Sequence, residues 1–460
     1  MTTRPTAPAT HCDTAVKKSA PRWLNAVSVG VLLALGGASA ASAQSLQTLY
    51  EAARAYDAAY LSAQKQFVAS QAKAEQARAG LLPTAGLTGE AYWNDRETHP
   101  GTDSTFTNQT VKLAASQPLY RPANSIAFDQ AQKSLQAAEA LLQAAEQDLV
   151  VRTSQAYFDV LAAQDNLTFV KAQKAAVSEQ LAAAKRNFEV GTSTITDTRE
   201  AEARFDLVNA QEIAAENDLR VKKLALDQLV GQTNTAPWRL PTPVALPSLE
   251  PSDLNAWVTR AESDHPTVRQ AATGLEVAQL ETRKAQAGHL PTVDAVAQYQ
   301  VARAPQQNVA GNVRNNTATV GISMNVPLFA GFAVQNRVKE TLALEDKARN
   351  DLDGAKRSVA QATRAAYLGV ISGLGQVKAL EAAETSSQSA LDANKLGYQV
   401  GVRINIDVLN AQSQLYQTKA SLAKARYDVL VGGLKLRQAG GVLKAGDLEA
   451  INQLLSVKPD

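Results

Sequence analysis

Cysteine, aromatic residues and an excess of either charge are all scarce in this chain. One Cys in 460 residues excludes a disulfide framework and any multi-cysteine metal site. Aromatic residues reach only 5%, which suits a compact enzyme with an aromatic-lined pocket poorly. Lys+Arg number 46 against 44 Asp+Glu, and the net charge of +2 rules out a nucleic-acid binder carried by bulk charge as well as the acidic disordered class. Ala, Gln and Leu dominate instead within a 45% hydrophobic chain, the profile of long helices packed through small residues.

Catalytic equipment is missing too. Beyond residue 43 the histidines are His99, His265 and His289, scattered without ligand spacing. His265 and His289 fall near expected helix ends and read as surface residues. There is no phosphate loop, no Gly-x-Ser-x-Gly elbow and no cysteine nucleophile. The many acidic residues lie on helix faces, where they are solvated or paired at i,i+4. No enzyme activity, cofactor, metal site or nucleic-acid partner is expected.

Residues 1–43 read as a secretory signal. Lys17, Lys18 and Arg22 precede the short apolar stretch Trp23–Gly37, and two small-residue sites follow, Ala38-Ser39-Ala40 and Ala41-Ser42-Ala43. The alternative is an N-terminal membrane anchor, for which the run is shorter than the ~18–20 apolar residues that spanning needs. Cleavage after Ala43 would remove Cys12, leaving no thiol. Cys12 also precedes the apolar stretch, so it cannot serve as a lipoprotein-type cleavage cysteine. No later run is apolar enough for a transmembrane helix, so any membrane contact must use another structure.

The remainder is one unit written twice. Gly80-Leu81-Leu82-Pro83 returns as Gly288-His289-Leu290-Pro291, and Gln117-Pro118-Leu119-Tyr120 as Val326-Pro327-Leu328-Phe329. Ala156-Tyr157 returns as Ala366-Tyr367, and Phe188-Glu189-Val190-Gly191 as Tyr398-Gln399-Val400-Gly401. The offset is 208, then 209, then 210 from Ala156 onward, whereas chance similarity between Ala-rich helices would drift. The reading is repeat 1 over 44–231, a proline-rich linker over 232–251 holding Pro237, Pro241, Pro243, Pro247 and Pro251, repeat 2 over 252–441, and a tail over 442–460.

Proline placement draws the elements inside each copy. None occurs from Ala123 to Ala236 or from Leu328 to Lys458, so helical hairpins are predicted over about 123–231 and 330–440, turning at Gly191 and Gly401. Phe128, Leu135, Leu142 and Leu149 recur every seven residues, with Ala131, Ala138 and Ala145 three further on, an a/d seam. In the second copy Val338, Leu352 and Val359 keep the seam and Glu345 interrupts it. Ala123–Glu189 amounts to ~100 Å of helix at 1.5 Å per residue. The shorter helices Ser45–Gly80 and Asp197–Gly231 would stack end to end beside it, making each copy a rod two helices wide.

Strands are predicted over about 84–97, 109–120, 291–304 and 316–329. Val293, Ala295, Ala297, Tyr299 and Val301 alternate with more polar residues, and Ala318, Val320, Ile322, Met324 and Val326 alternate with Thr319, Gly321, Ser323 and Asn325. Such strands have the span of a membrane β-strand. Taken alone they suit a soluble hairpin packed on a helix equally well; the export signal and the ~100 Å helices favour the membrane. Val320, Ile322 and Met324 would then face lipid, and Thr319, Ser323 and Asn325 a lumen. Four strands cannot close a barrel, and an open edge in lipid is forbidden, so three copies sharing a twelve-stranded barrel are expected.

The paired hairpin tips, Phe188-Glu189-Val190-Gly191-Thr192 with Ile195-Thr196-Asp197, and Tyr398-Gln399-Val400-Gly401-Val402-Arg403 with Asp407-Val408-Leu409-Asn410-Ala411, together with the Pro-Leu-Tyr and Pro-Leu-Phe strand exits, resemble the TolC family of outer-membrane efflux and type I secretion channels over essentially the whole chain after the signal. The resemblance implies a mainly α homotrimer with an outer-membrane barrel in a Gram-negative bacterium. A helical tunnel would cross the periplasm and dock on an inner-membrane adaptor and a transporter of ABC, RND or MFS type. It places Val190, Gly191, Thr192, Val400, Gly401 and Val402 at the adaptor contact, although a turn glycine also simply closes its turn. It places Arg403 and Tyr398 in a periplasmic gate with Asp197 and Thr196, against the plain reading of a solvated loop arginine. Asp407 falls in a lumenal ring where the second family aspartate is Asn410 here; the plain reading is a carboxylate at a helix N-terminus. The rival is a periplasmic adaptor subunit, which would show one hairpin flanked by two halves of a small β-domain. The cargo is not legible.

Overall fold

A computed structural model describes residues 44–97, 99–101, 103–241, 244–305 and 312–455; the expected signal, 1–43, lies outside them, as do the last residues of the tail. In chain order the elements are α1 (Leu46–Tyr56), α2 (Ala58–Arg78), β1 (Thr84–Arg96), β2 (Ser104–Tyr120), α3 (Pro122–Glu189) and α4 (Ile195–Val230). The second copy repeats them as α5 (Leu254–Asp264), α6 (Pro266–Gln286), β3 (Thr292–Pro305), β4 (Asn312–Asn325), α7 (Ala333–Gln399) and α8 (Asn405–Ala439), with α9 (Asp447–Asn452) after them. Helices α3 and α7 run for 68 and 67 residues, close to the length that the proline gaps imply.

The helix expected over Ser45–Gly80 is in fact two. It breaks at Asp57, whose backbone leaves helical geometry while its carboxylate caps α2 by accepting from the Tyr60 N–H at 2.8 Å. Both carboxylate oxygens also accept from the Arg152 guanidinium of α3, at 2.9 and 3.0 Å. The second copy breaks at the equivalent His265, whose Nδ1 accepts from the Thr267 N–H at 3.1 Å ahead of Pro266 at the first helical turn. His265 is therefore a half-buried cap, contrary to the surface position expected; His289 is exposed.

These two caps set an acid limit. The Arg152 hydrogen bonds hold the Asp57 carboxyl below its ordinary value, and burial holds the His265 imidazole below its own. A depressed folded pKa contributes stability that is present above the unfolded value and is lost as pH falls through the folded one. The His265 share is therefore complete above about pH 6.5 and the Asp57 share above about pH 4, and both fade on acidification below those points. Asp57→Ala should cost about 1 kcal/mol or more through the cap alone. Melting curves followed by circular dichroism at pH 7 and at about pH 3 should show a lower midpoint and a smaller acid-induced drop than in the unaltered chain.

The main core forms a waist midway along α3. Leu149, Val150, Tyr157, Phe158 and Leu161 meet Leu46 and Leu49 of α1, Tyr427, Leu430 and Leu434 of α8, and Leu448 and Ile451 of α9. The tail thus belongs to the core, and Gln147 donates to the carbonyls of Gly441 and Leu443. Linker residues 236–238 lie against residue 44, and the Tyr157 hydroxyl donates to the Trp238 carbonyl at 3.0 Å. Of the heptad leucines only Leu149 is fully buried; Phe128, Leu135 and Leu142 stay partly open. Nor are the copies separate rods. Glu281 of α6 accepts from Gln130 of α3 at 3.0 Å and pairs with Arg337 of α7 at 2.7 Å. The interrupting Glu345 is accommodated by the Thr282 hydroxyl at 3.3 Å and by Arg349.

The four strands make one antiparallel sheet in the order β1-β2-β3-β4. Two boundaries differ from expectation: β2 starts at Ser104 and not near 109, and β4 covers Asn312–Asn325 and not 316–329. The early start follows from hairpin pairing with Arg96. The early end follows from the absence of any neighbour beyond the Thr292–Asn325 pair.

Candidate functional site

The register sorts the sheet into two chemically distinct faces. Leu87, Leu113, Tyr299 and Ala318 form one row across all four strands, and Ala85, Ala115, Ala297 and Val320 the next. Ile322 and Met324 continue the same face, and Val320, Ile322 and Met324 stand 85%, 72% and 67% exposed. The opposite face carries Thr88, Lys112, Gln300 and Thr317 in one row and Gly86, Ala114, Gln298 and Thr319 in another. One apolar and one polar face is what a lipid-facing wall around water requires. The shortest strand has 13 residues, ~44 Å long at 3.4 Å per residue, enough to cross a bilayer core when tilted. Among the described residues no helix is long and apolar enough to cross a membrane.

Where the sheet joins the helices it is stitched to them. Arg121, at the start of α3, grips Asp294 of β3 through two hydrogen bonds of 2.7 and 2.6 Å. Gln117 and Asn124 donate to the carbonyls of Leu81 and Gly80 at 3.0 and 2.6 Å. Strand exit and helix entry are thereby held together.

At the far end the two hairpin tips are built alike. Gly191 and Gly401 have φ of +78° and +79°, a region open to glycine. Thr192 N–H reaches the Asn187 carbonyl and Gly191 N–H that of Phe188; Val402 and Gly401 repeat the pattern on Gly397 and Tyr398. Both tips are Schellman turns. A Cβ on either turn glycine would meet nothing within 4 Å, so the glycines are needed for φ and not for close approach. Val190, Val400 and Val402 stand 72%, 65% and 75% exposed, an apolar crown with no partner in the single chain.

Beyond the turns the copies diverge. Asp197 and Asp407 both occupy the third position of their helices, α4 and α8. Asp197 sits in a capping box: its Oδ2 accepts from Thr194 N–H and Oγ1, both at 2.9 Å, and its own N–H returns to Thr194 Oγ1 at 3.2 Å. In α8 the capping position is Ile404, which offers no side-chain hydrogen bond. Asp407 instead pairs with Arg403 at 3.7 Å, and the stem of Arg403 lies across Gly397, where a Cβ would approach it to 2.6 Å. Tyr398 packs beside Leu391, Val408 and Leu415, and its hydroxyl accepts from Asn187 Nδ2 at 3.4 Å.

The four gate residues therefore do not form one cluster within a single chain. Asp197 is taken by its own cap, Arg403 of the tip turn by Asp407 in the first turn of α8, and Tyr398 by Asn187; Thr196 stays exposed on the first turn of α4. Asn410 accepts through its Oδ1 from Arg204 Nη2 of α4 at 2.6 Å. Sequence reasoning overlooked Arg204, Asn187 and Gln180, the last of which bonds Asn405. Single polar residues on helix faces gave no signal. Thr194-x-x-Asp197 did give one, a capping-box spacing that precedes a long helix. Among the described residues no group of His, Cys, Asp and Glu could hold a metal ion.

A sheet with an apolar outer face and unpaired edges, joined to ~100 Å helical hairpins with exposed tips, defines a membrane duct built from several copies. A family model described as outer membrane efflux protein matches residues 49–232 and 257–442, one match per copy. The outer membrane protein TolC of Vibrio cholerae is 33% identical over 444 residues, covering 96% of this chain and 99% of that protein. The alkaline protease secretion protein AprF of Pseudomonas aeruginosa is 32% identical, covering 76% of this chain and 73% of that one. The Campylobacter jejuni CmeC outer membrane channel superposes with a TM-score of 0.76 over 89% of this chain and 90% of its own, at 15% identity, and so speaks for the fold. The chain belongs to the outer membrane efflux protein family. It is a channel of the Gram-negative outer membrane and not an enzyme, a homotrimer that serves as exit duct for efflux or type I secretion with an inner-membrane adaptor and transporter. The adaptor reading of the chain itself falls with that.

Proposed function

We propose that this duct is shut at its periplasmic end by Arg403 and Tyr398 of the second tip acting on Asp197 and Thr196 of the first, across the trimer, and that the valine-glycine tips are where the adaptor docks. The observation that carries the gate is the unequal treatment of the two equivalent aspartates. Asp197 is fixed by its capping box, so it offers a stationary acceptor. Arg403 is held only by an exposed i,i+4 pair, 59% and 34% accessible, worth ~0–1 kcal/mol. It can change partners at little cost. Three such exchanges around the axis would supply at most ~3 kcal/mol, enough to bias a gate and little enough for docking to release it. Arg403→Ser combined with Tyr398→Phe should raise single-channel conductance in planar bilayers without reducing trimer yield. Conductance at the unaltered level would mean that this latch does not set the resting state.

The same exchange would leave Asp407 uncovered as the gate closes, three times around a narrow axis. We assign it the cation preference of the periplasmic mouth, weakened because Asn410 adds no charge and is bonded to Arg204. Asp407→Ala should lower the cation-to-anion permeability ratio and relieve block by multivalent cations in bilayer recordings. Unchanged selectivity would reduce Asp407 to its helix-end role.

A further inference from the structure

The sheet ends in two unpaired strands, β1 and β4, and the duplication says how they meet. Moving β1 forward by 208 residues and β2 by 209, the offsets of the two Pro-containing motifs, carries the first hairpin onto the second. Thr84–Ser116 falls on Thr292–Asn325, Leu87–Leu113 on Ala295–Ile322, and Arg96–Ser104 on Ala304–Val313, with no slip. The same offsets apply to the seam between the copies, where β2 pairs with β3. They carry β2 onto β4, and β3 back onto the β1 of another chain.

Resting on the trimeric-duct reading, we infer that β4 pairs antiparallel with the next copy's β1 in the register that sets Val320 opposite Trp93, and that residues 326–329 become strand only in that contact. Val111–Val301 of the inner seam becomes Val320 with the next copy's Trp93, and Leu113–Tyr299 becomes Ile322 with its Ala91. On the other face Thr110–Ala302 becomes Thr319 with the next copy's Asn94, and Lys112–Gln300 becomes Gly321 with its Tyr92. Apolar positions meet apolar and lumenal meet lumenal throughout; a slip of one residue would reverse every pair. Trp93 and Val320, 70% and 85% exposed in one chain, cover each other as an aromatic and β-branched cross-strand pair. Gly321, with nothing within 4 Å of its Cβ position, receives the ring of a neighbouring tyrosine.

The strand extension follows from the inner seam. Pairing with β1 stops at Ser116, so Gln117–Tyr120 is strand because β3 runs beside it. The equivalent residues Val326–Phe329 have no such neighbour in the single chain, and Leu328 and Phe329 stand 94% and 73% exposed. Assembly supplies the missing strand and sets Phe329 opposite the next copy's Ala85, as Tyr120 faces Val293. One feature of the inner seam is not copied. The Arg121–Asp294 clamp maps to Ala330 and Gly86, so the seam between chains holds by backbone hydrogen bonds and apolar pairs and is insensitive to salt.

The test uses double-cysteine variants of the full chain, oxidised mildly in isolated outer membranes and run without reductant. Val320→Cys with Trp93→Cys, Thr319→Cys with Asn94→Cys, and Phe329→Cys with Ala85→Cys should each give covalent dimers and trimers that reductant collapses, at least about tenfold above Val320→Cys with Gly89→Cys, which is ~13 Å out of register. If the first pair prevents assembly, the lumenal Thr319 and Asn94 pair decides the register. A trimer in which the out-of-register pair links as well, or in which neither 320/93 nor 319/94 links, overturns the register. Linking at 320/93 without linking at 329/85 overturns the extension. Absence of a heat-dissociable trimer in the unaltered protein would instead sink the duct reading on which the proposal rests.

Discussion

Ile322→Arg should strip the outer membrane of trimers, while Ser323→Arg, one residue along the same strand, should leave them in place. The two positions share backbone, exposure and distance from the hairpin ends, and differ in the face they occupy. Ile322 stands in the apolar band and Ser323 lies opposite Asp294 on the polar face. An arginine facing lipid near the midplane costs ~2–4 kcal/mol, and three-fold symmetry makes that roughly 6–12 kcal/mol per trimer, on the scale of a whole domain's stability. On the lumenal face the same side chain is hydrated and costs almost nothing. Immunoblots of fractionated membranes, heated and unheated, read the difference directly; equal loss from both variants would mean that the sheet is not a barrel wall.

Gly401→Pro should abolish export while leaving the trimer in the outer membrane. Proline fixes φ near −65°, whereas Gly401 sits at +79° and its N–H bonds the Tyr398 carbonyl, so the Schellman turn cannot form with proline. The damage stays local. The next buried cluster, around Leu391, Val408 and Leu415, lies beyond the turn, and the waist core is farther off along α7. Gly401→Ala is the graded companion. Nothing crowds its Cβ position, so it costs only the ~1–2 kcal/mol of left-handed backbone and should retain partial export. Secretion assays beside trimer blots separate the outcomes; loss of the trimer with Gly401→Pro would give the turn a structural role alone.

What could be read from the sequence follows what governs each element. The long helices were legible because their limits are local: proline is excluded from their interiors, and Pro122 opens α3 within one residue of the expected start. The duplication was legible because a constant offset survives divergence. The break at Asp57 was not, since no proline or glycine marks it and its partner, Arg152, comes 95 residues later. The end of β4 was not either, because a strand stops where its neighbour stops, and β3 offers it none beyond Thr292. The tip residues were placed on their turns by motif, while the partners they take within one chain are decided locally. Thr194 is near enough to take Asp197 before any distant arginine can, and Ile404 is unable to do the same for Asp407.

The waist core joins the two extremities of the described chain, with Leu46 and Leu49 in the same cluster as Leu448, Ile451 and Leu455. A contact of that sequence separation cannot form early, because the loop it closes is nearly the whole polypeptide. A chain threaded through a membrane from its N-terminus can lay its first helix on α3 and α4 as they emerge, but the core stays open on the side of α8 and α9 until the last helix arrives. Premature closure is precluded by the order in which the pieces appear. Shortening the chain before residue 443 would release a polypeptide whose tower helices can coil but whose centre never seals, a natural substrate for quality-control proteolysis.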